Sequence, residues 1–272
     1  MNIKVKILAV LLFSLVMSCA KNPFTGKSTM AFVPNSQIFL SAFQQYNQFL
    51  SENKVIKGTS DAKRIETIGM KIKTAAERFL NANGNANYLD GYEWEYKLVD
   101  SKELNAWCMP GGKIVFYTGI LPVCKDDAGI AAVMGHEVAH ALANHGQQRM
   151  SAGLLQQLGA VGTQVAVGNQ DAETQALVMQ AYGVGSQVGG MLPFSRKHES
   201  EADMIGLTLM AIAGYDPINA VKVWERMSAI SNGQAPPEIL STHPSNETRI
   251  KELTALIPQA KAEAAKFGVT FK

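Results

Sequence analysis

Gly135-His136-Glu137-Val138-Ala139-His140 lies inside a helical run from about Asp126 to Gln147, DDAGIAAVMGHEVAHALANHGQ, and that run decides the fold. Asp126 and Asp127 put acid at its start, which suits the positive end of a helix dipole, and no proline interrupts it. His136 and His140 are four residues apart, so on a helix both imidazoles leave one face and can share a tetrahedral ion. Glu137 stands beside the first histidine, where a carboxylate can take a proton from metal-activated water instead of ligating. Small and apolar neighbours (Ala131, Ala132, Val133, Met134, Val138, Ala139, Ala141, Leu142) predict burial on most sides. Buried histidines need partners. The bland alternative, two surface histidines beside a glutamate, does not explain those neighbours.

A third ligand is available downstream. Pro193–Asp203 reads PFSRKHESEAD and continues helically through Leu209. Glu199 and Asp203 are four apart and share a helix face, whereas Glu201 points elsewhere. A glutamate added to two histidines completes a His₂Glu zinc site with the fourth position open to water. Asp203 can then accept the free N–H of a ligating histidine and fix its tautomer. Read blandly, these acids only pair with Arg196, Lys197 or Arg249 on a solvated face. His145 follows the motif at five residues without the glycine of H-E-x-x-H-x-x-G-x-x-H, which argues against a metzincin site. His145 and His198 are read as structural.

HEVAH followed 59 residues later by ESEAD resembles the gluzincin pattern, and within it the HtpX and CaaX-prenyl-protease family of zinc endopeptidases. NPFTGK (22–27), NAWCMPGGKIVFYTGIL (105–121), LPFSRKHESEAD (192–203) and THPSNETRI (242–250) together resemble its bacterial lipoprotein branch, the LoiP- and BepA-like members. The resemblance covers most of the chain. It implies an α+β, mostly α, gluzincin-like domain with a small β-sheet beside the active-site helix. It also implies one zinc ion and hydrolysis of misfolded or membrane-associated envelope proteins, with His136, His140 and Glu199 as ligands and Glu137 as base. In such sites a cation or phenol often stabilises the developing oxyanion, and His243 or Arg249 can supply that donor. Alternatively, His243 fills the open zinc position and shuts the site until substrate displaces it. Transmembrane helices of the HtpX kind and the helical-repeat domain of BepA-like members are not expected here. The rival function is an envelope chaperone or assembly factor with a structural or self-inhibited zinc site; an intact Glu137 favours the enzyme.

Upstream, Tyr92–Val99 alternates aromatic or apolar with charged residues, as a half-buried strand does, and Ile114–Thr118 reads as a second short strand. Gly111 and Gly112 fit a tight turn or bulge. A strand at a sheet edge can hold an extended peptide through its backbone, which makes Asn105, Ala106, Gly111 and Gly112 candidates for a cleft wall. Without the metal motif they are simply a hairpin. Ser36–Glu52 and Ser60–Leu80 carry apolar residues at helical spacing, with Ile65, Ile68, Ile72 and Ala76 facing inward on the second. Met150–Leu192 is apolar and rich in Gly and Ala; it predicts two helices with a turn near Gly168–Asp171, with core packing as the default role and contact with lipid or a partner as the alternative.

At the N-terminus, Lys4 and Lys6 precede an apolar run, Ile7–Met17, too short to span a bilayer but matching a secretory leader. Val16-Met17-Ser18-Cys19 resembles a bacterial lipobox, which implies cleavage before Cys19 and its lipidation. The expected organisation is a leader at 1–18, a tether at 19–35 and one metallopeptidase domain at 36–272. From Cys19 on, 23 basic side chains face 23 acidic ones, a balance that gives no reason to expect nucleic acid. The partners expected are unfolded or outer-membrane polypeptides and, through Cys19, a membrane. Ala20 and Lys21 favour a periplasm-facing outer-membrane location. Cys108 and Cys124 read equally as a disulfide or as two free thiols.

Overall fold

The computed structural model describes residues 19–230, 243 and 247–271; the expected leader, residues 1–18, lies outside them. In chain order the elements are β1 (Cys19–Lys21), β2 (Ser28–Met30), α1 (Asn35–Glu52), β3 (Val55–Ile56), α2 (Ser60–Ala82), β4 (Glu95–Val99), β5 (Ala106–Met109) and β6 (Lys113–Tyr117). The helical part follows, with α3 (Leu121–Cys124), α4 (Asp127–Leu142), α5 (His145–Ala166), α6 (Ala172–Ser186), α7 (Leu192–Ile212), α8 (Ile218–Ile230) and α9 (Glu247–Ala265). The fold is α+β and mostly α. The described residues form two compact units, one joining those up to Asn35 with His145–His198, the other comprising Ser36–Asn144 and the residues from Glu199 on.

In the second unit a four-stranded sheet has the order β3-β4-β6-β5. β4 and β6 run parallel, with Tyr96 opposite Ile114 and Leu98 opposite Phe116, while the outer pairs are antiparallel. Central β6 is buried at all five positions, and β5 takes an edge. The strand expected from Tyr92 begins only at Glu95. Tyr92 and Trp94 instead stack on each other, and Phe39 of α1 meets Tyr92 edge-on. The inner face of α2 is the one its spacing marked: Ile65, Ile68, Ile72 and Ala76 are all fully buried.

Helix α4 is buried all round from Gly129 to Leu142, the pattern of a helix packed on every side. Such a helix must satisfy its terminal backbone groups locally. The Asp126 side chain accepts from the Gly129 N–H at 2.9 Å. At the other end the hydroxyls of Tyr88 and Tyr92 donate to the carbonyls of Leu142 and Ala141, at 2.7 and 3.2 Å. The run expected to reach Gln147 stops sooner, because Asn144 adopts a left-handed turn (φ 55°) and α5 starts afresh at His145. Asparagine tolerates that conformation better than most residues.

α4 and α7 touch backbone to backbone. A Cβ on Gly135 would lie 2.8 Å from the Gly206 carbonyl oxygen, and one on Gly206 would lie 2.9 Å from the His136 nitrogen. Glu199, Asp203 and Gly206 follow at intervals of four and three, so the face of α7 that touches α4 also carries both acids. Gly206→Ala is expected to force the helices apart and to destabilise the protein by about 1–3 kcal/mol. Urea denaturation checks this; an unchanged midpoint would show that the crossing yields without cost.

Candidate metal centre

The side chains of the centre all belong to the second unit, on α4, on α7, at His243 and on α9. His136, His140, Glu199 and His243 are buried, and one ligand atom from each lies within 4.8 Å of the others. The Nε2 atoms of His136 and His140 are 3.1 Å apart, and each is 3.4 Å from a Glu199 carboxylate oxygen. His243 Nδ1 stands 3.2 Å from His136 Nε2 and 2.8 Å from Glu199 Oε2. Zinc ligands 2.0–2.1 Å from the ion at tetrahedral corners are about 3.3 Å from one another. The donor set therefore fits zinc in both chemistry and spacing.

Around these donors the charges are ordered. Asp203 Oδ1 lies 2.9 Å from His136 Nδ1, which leaves Nε2 to face the ligand cluster. Arg249 grips Asp203 with two hydrogen bonds, Nη2 to Oδ1 at 2.7 Å and Nε to Oδ2 at 2.8 Å. Its guanidinium also lies 3.6 Å over the Trp224 ring, whose edge meets His136. Burial alone would push the His136 pKa down, but hydrogen bonds donated to Asp203 and Glu199 outweigh it and raise it to about 9. Burial keeps His140 well below the usual imidazole range, in the neutral form that ligates a metal. Burial likewise opposes ionisation of Glu199 and Asp203. Three histidines overcome that for Glu199, and Arg249 with His136 overcomes it for Asp203, so both pKa values are lowered.

Glu137 points into the same space, with Oε1 3.6 Å from His243 Nε2. That oxygen is buried and makes no hydrogen bond among the described residues, and burial raises the carboxyl pKa. A buried carboxylate oxygen without a donor is costly, which suits a group whose partner arrives with the reaction.

Other expected residues are placed differently. Arg249 grips Asp203 and lies over Trp224, and its Nη1 also comes within 3.4 Å of Glu199 Oε2, at the edge of the ligand cluster. Asn105 is buried, with its carbonyl accepting from the Tyr117 N–H, and Ala106 opens edge strand β5. Gly111 and Gly112 form the β5–β6 turn with φ of 85° and 89°. A Cβ there would strike Phe43 or Trp94, and their carbonyls accept from the Glu93 and Glu95 amides. They shape the turn that leads from edge strand β5 into β6. Cys19 opens β1 opposite Met30. Cys108 and Cys124 are free thiols. His145 and His198 stack on each other with centroids 4.0 Å apart in the first unit, apart from the ligand cluster. Two contributors went unread. Gly206 could have been found from its spacing to Glu199 and Asp203, whereas nothing marked Trp224 beyond its place among apolar residues.

A helix-borne H-E-x-x-H pair completed by a glutamate from a second helix defines a zinc metallopeptidase. The chain belongs to peptidase family M48, whose profile matches residues 66–257. It is 37% identical over 205 residues to the mitochondrial metalloendopeptidase OMA1 of Arabidopsis thaliana, an alignment covering 73% of this chain and 40% of that protein. It is 30% identical over 246 residues to the mitochondrial metalloendopeptidase OMA1 of Homo sapiens, covering 88% and 46% respectively. The beta-barrel assembly-enhancing protease of Escherichia coli is 29% identical over 167 residues, covering 58% and 33%. The chain thus spans about half the length, or less, of these curated relatives. The expected outer-membrane, periplasm-facing location is corrected by them: the more similar relatives are named as mitochondrial, and the bacterial protease aligns over a shorter stretch. No helix among the described residues is long and apolar enough to cross a membrane.

If Asp203 orients His136 for a metal, Asp203→Asn is expected to weaken zinc binding by about 10–100-fold. Competition with a chromogenic chelator measures this, and an unaltered zinc affinity would remove Asp203 from the centre.

Proposed function

We propose that the chain is a zinc-dependent endopeptidase of unfolded or membrane-associated polypeptides, with His136, His140 and Glu199 as ligands and Glu137 as general base. The observation that carries this reading is the convergence of four donor atoms beside a buried carboxylate oxygen that, among the described residues, has no hydrogen-bond donor. Zinc held there supplies a Lewis acid that activates water and polarises the scissile carbonyl. Glu137 takes a proton from the attacking water and delivers it to the leaving amine. Asp203, clamped by Arg249, keeps the His136 ring turned so that Nε2 faces the ion.

Edge strand β5, with Asn105 just before it and Ala106 at its start, is read as the backbone rail for an extended substrate. The bacterial relative is named as a protease that enhances β-barrel assembly, which supports polypeptides of incomplete fold as the substrate class. Residues 36–272 are read as the peptidase domain. Cys19 is read as an acylated residue following removal of residues 1–18, without reference to compartment.

His243 is read as the donor at the fourth corner, since its Nδ1 lies closer to Glu199 and His136 than its Nε2 does to Glu137. His243→Ala is expected to retain zinc through the remaining three ligands and to cleave casein at least as fast as the parent. A variant that keeps zinc but cleaves much more slowly would make His243 a catalytic donor instead.

Glu137→Gln is expected to retain stoichiometric zinc and to lose casein cleavage by about 100-fold or more. Metal analysis run beside a chelator-controlled digest checks both parts. Full cleavage by a zinc-loaded Glu137→Gln protein would end this reading and leave a binding role.

A further inference from the structure

Of thirteen exposed large apolar side chains among the described residues, ten lie between Met150 and Leu192. They are ordered. On α5, Met150, Leu154, Leu158, Val161 and Val165 follow at intervals of four, four, three and four, so they form one stripe; Leu158 is 64% exposed and Val165 76%. A second stripe of Leu177, Ala181, Val184, Val188 and Leu192 runs along α6, through the π-helical segment Gln187–Met191, to the start of α7. Side-chain pairs show that the two arms are antiparallel. Gln164 donates to Gln175, Gln156 to Ser186, and His198 meets Gln148. An exposed apolar face of this length marks an interaction surface.

The charge pattern says what kind. Between Arg149 and Arg196 only Asp171 and Glu173 are charged, both at the tip of the hairpin. The remaining polar positions are mostly Gln, Ser, Thr and Gly, so a partner recognised by ion pairs would find nothing to pair with along either arm. Helices that pair with a second copy usually set register through charges flanking the seam, and here those are missing. At the root, by contrast, Arg149, Arg196 and Lys197 are exposed together, at the level where an apolar arm meets phosphate headgroups. Glycine supplies a separate argument. A Cβ at Gly153, Gly162, Gly183, Gly185, Gly189 or Gly190 would meet nothing within 4 Å, so no neighbour among the described residues requires these glycines. Each costs a helix in water about 1 kcal/mol relative to alanine. Against hydrocarbon, where the backbone has no water to bond, the helix persists and glycine is common.

We propose that the α5–α6 hairpin is a docking surface for a neutral lipid bilayer, with both apolar stripes in the acyl boundary and the three root cations among the headgroups. The surface belongs to the first unit and does not depend on the metal-site reading. Its attraction is apolar and owes little to net charge, so it does not require anionic lipid.

Hydrogen–deuterium exchange of the full chain, with and without phosphatidylcholine vesicles, tests this segment by segment, so that any acyl group at Cys19 cannot mimic the result. Exchange across 150–166 and 177–192 is expected to slow with vesicles and to stay slow at high salt. In Leu158→Asp/Val184→Asp that protection is expected to disappear while zinc content matches the parent. Equal exchange in those segments with and without vesicles would overturn the proposal, as would protection that survives the double substitution. Protection without vesicles, in a chain that sediments as a dimer, would assign the face to a second copy and overturn it equally.

Discussion

Two glycines in van der Waals contact set the geometry of the whole centre. Gly135 immediately precedes the first ligand histidine, and Gly206 lies on the face of α7 that carries Glu199 and Asp203. Only a backbone-to-backbone crossing brings α7 near enough for a glutamate side chain to reach both imidazoles while an aspartate one turn on reaches the back of one ring. With side chains at the crossing, the same four polar residues would face each other across a wider gap. The packing of two helices thus decides whether the polar residues form a ligand set or remain a scattered collection of buried charges.

Electrostatics explains why such a collection needs an ion. Among the described residues, three buried carboxyl groups (Glu137, Glu199 and Asp203) face one buried arginine, Arg249. Burying uncompensated carboxylates costs several kcal/mol each, and neighbours or protons must make up the difference. Asp203 and Glu199 raise the His136 pKa to about 9, and burial raises that of Glu137. A divalent cation at the same point would balance Glu199 and leave Asp203 to Arg249. The acids that draw a proton onto His136 are thus the ones that would draw zinc in its place.

Much of the centre was legible in the amino-acid order, because helical spacing is a local property. Four residues between His136 and His140, and four between Glu199 and Asp203, place each pair on one face whatever the rest of the chain does. The burial of α4 and the inner face of α2 followed from apolar periodicity in the same way. What escaped depended on contacts between distant segments. The grip of Arg249 on Asp203 and its stacking on Trp224 could not be read from spacing. Gly111 and Gly112 read as a tight turn, but the aromatic rings from α1 and the chain before β4 that pack against it carried no local signal. The apolar stretch after the zinc helix predicted two helices correctly, but the default reading of core packing failed because most of its large side chains face outward.

Arg249 shows how such a distant contact can tune the chemistry. One Asp203 oxygen receives both His136 Nδ1 and an Arg249 N–H, so the two compete for the same negative charge. An unpaired aspartate would hold the imidazole proton more strongly and make the ring a more basic ligand. Arg249 draws part of that charge away, and Trp224 holds the planar guanidinium in place by stacking against its face. The α9 cation and Asp203 therefore pull the His136 pKa in opposite directions, Arg249 lowering it and the carboxylate raising it, with the guanidinium held by a tryptophan on a third helix.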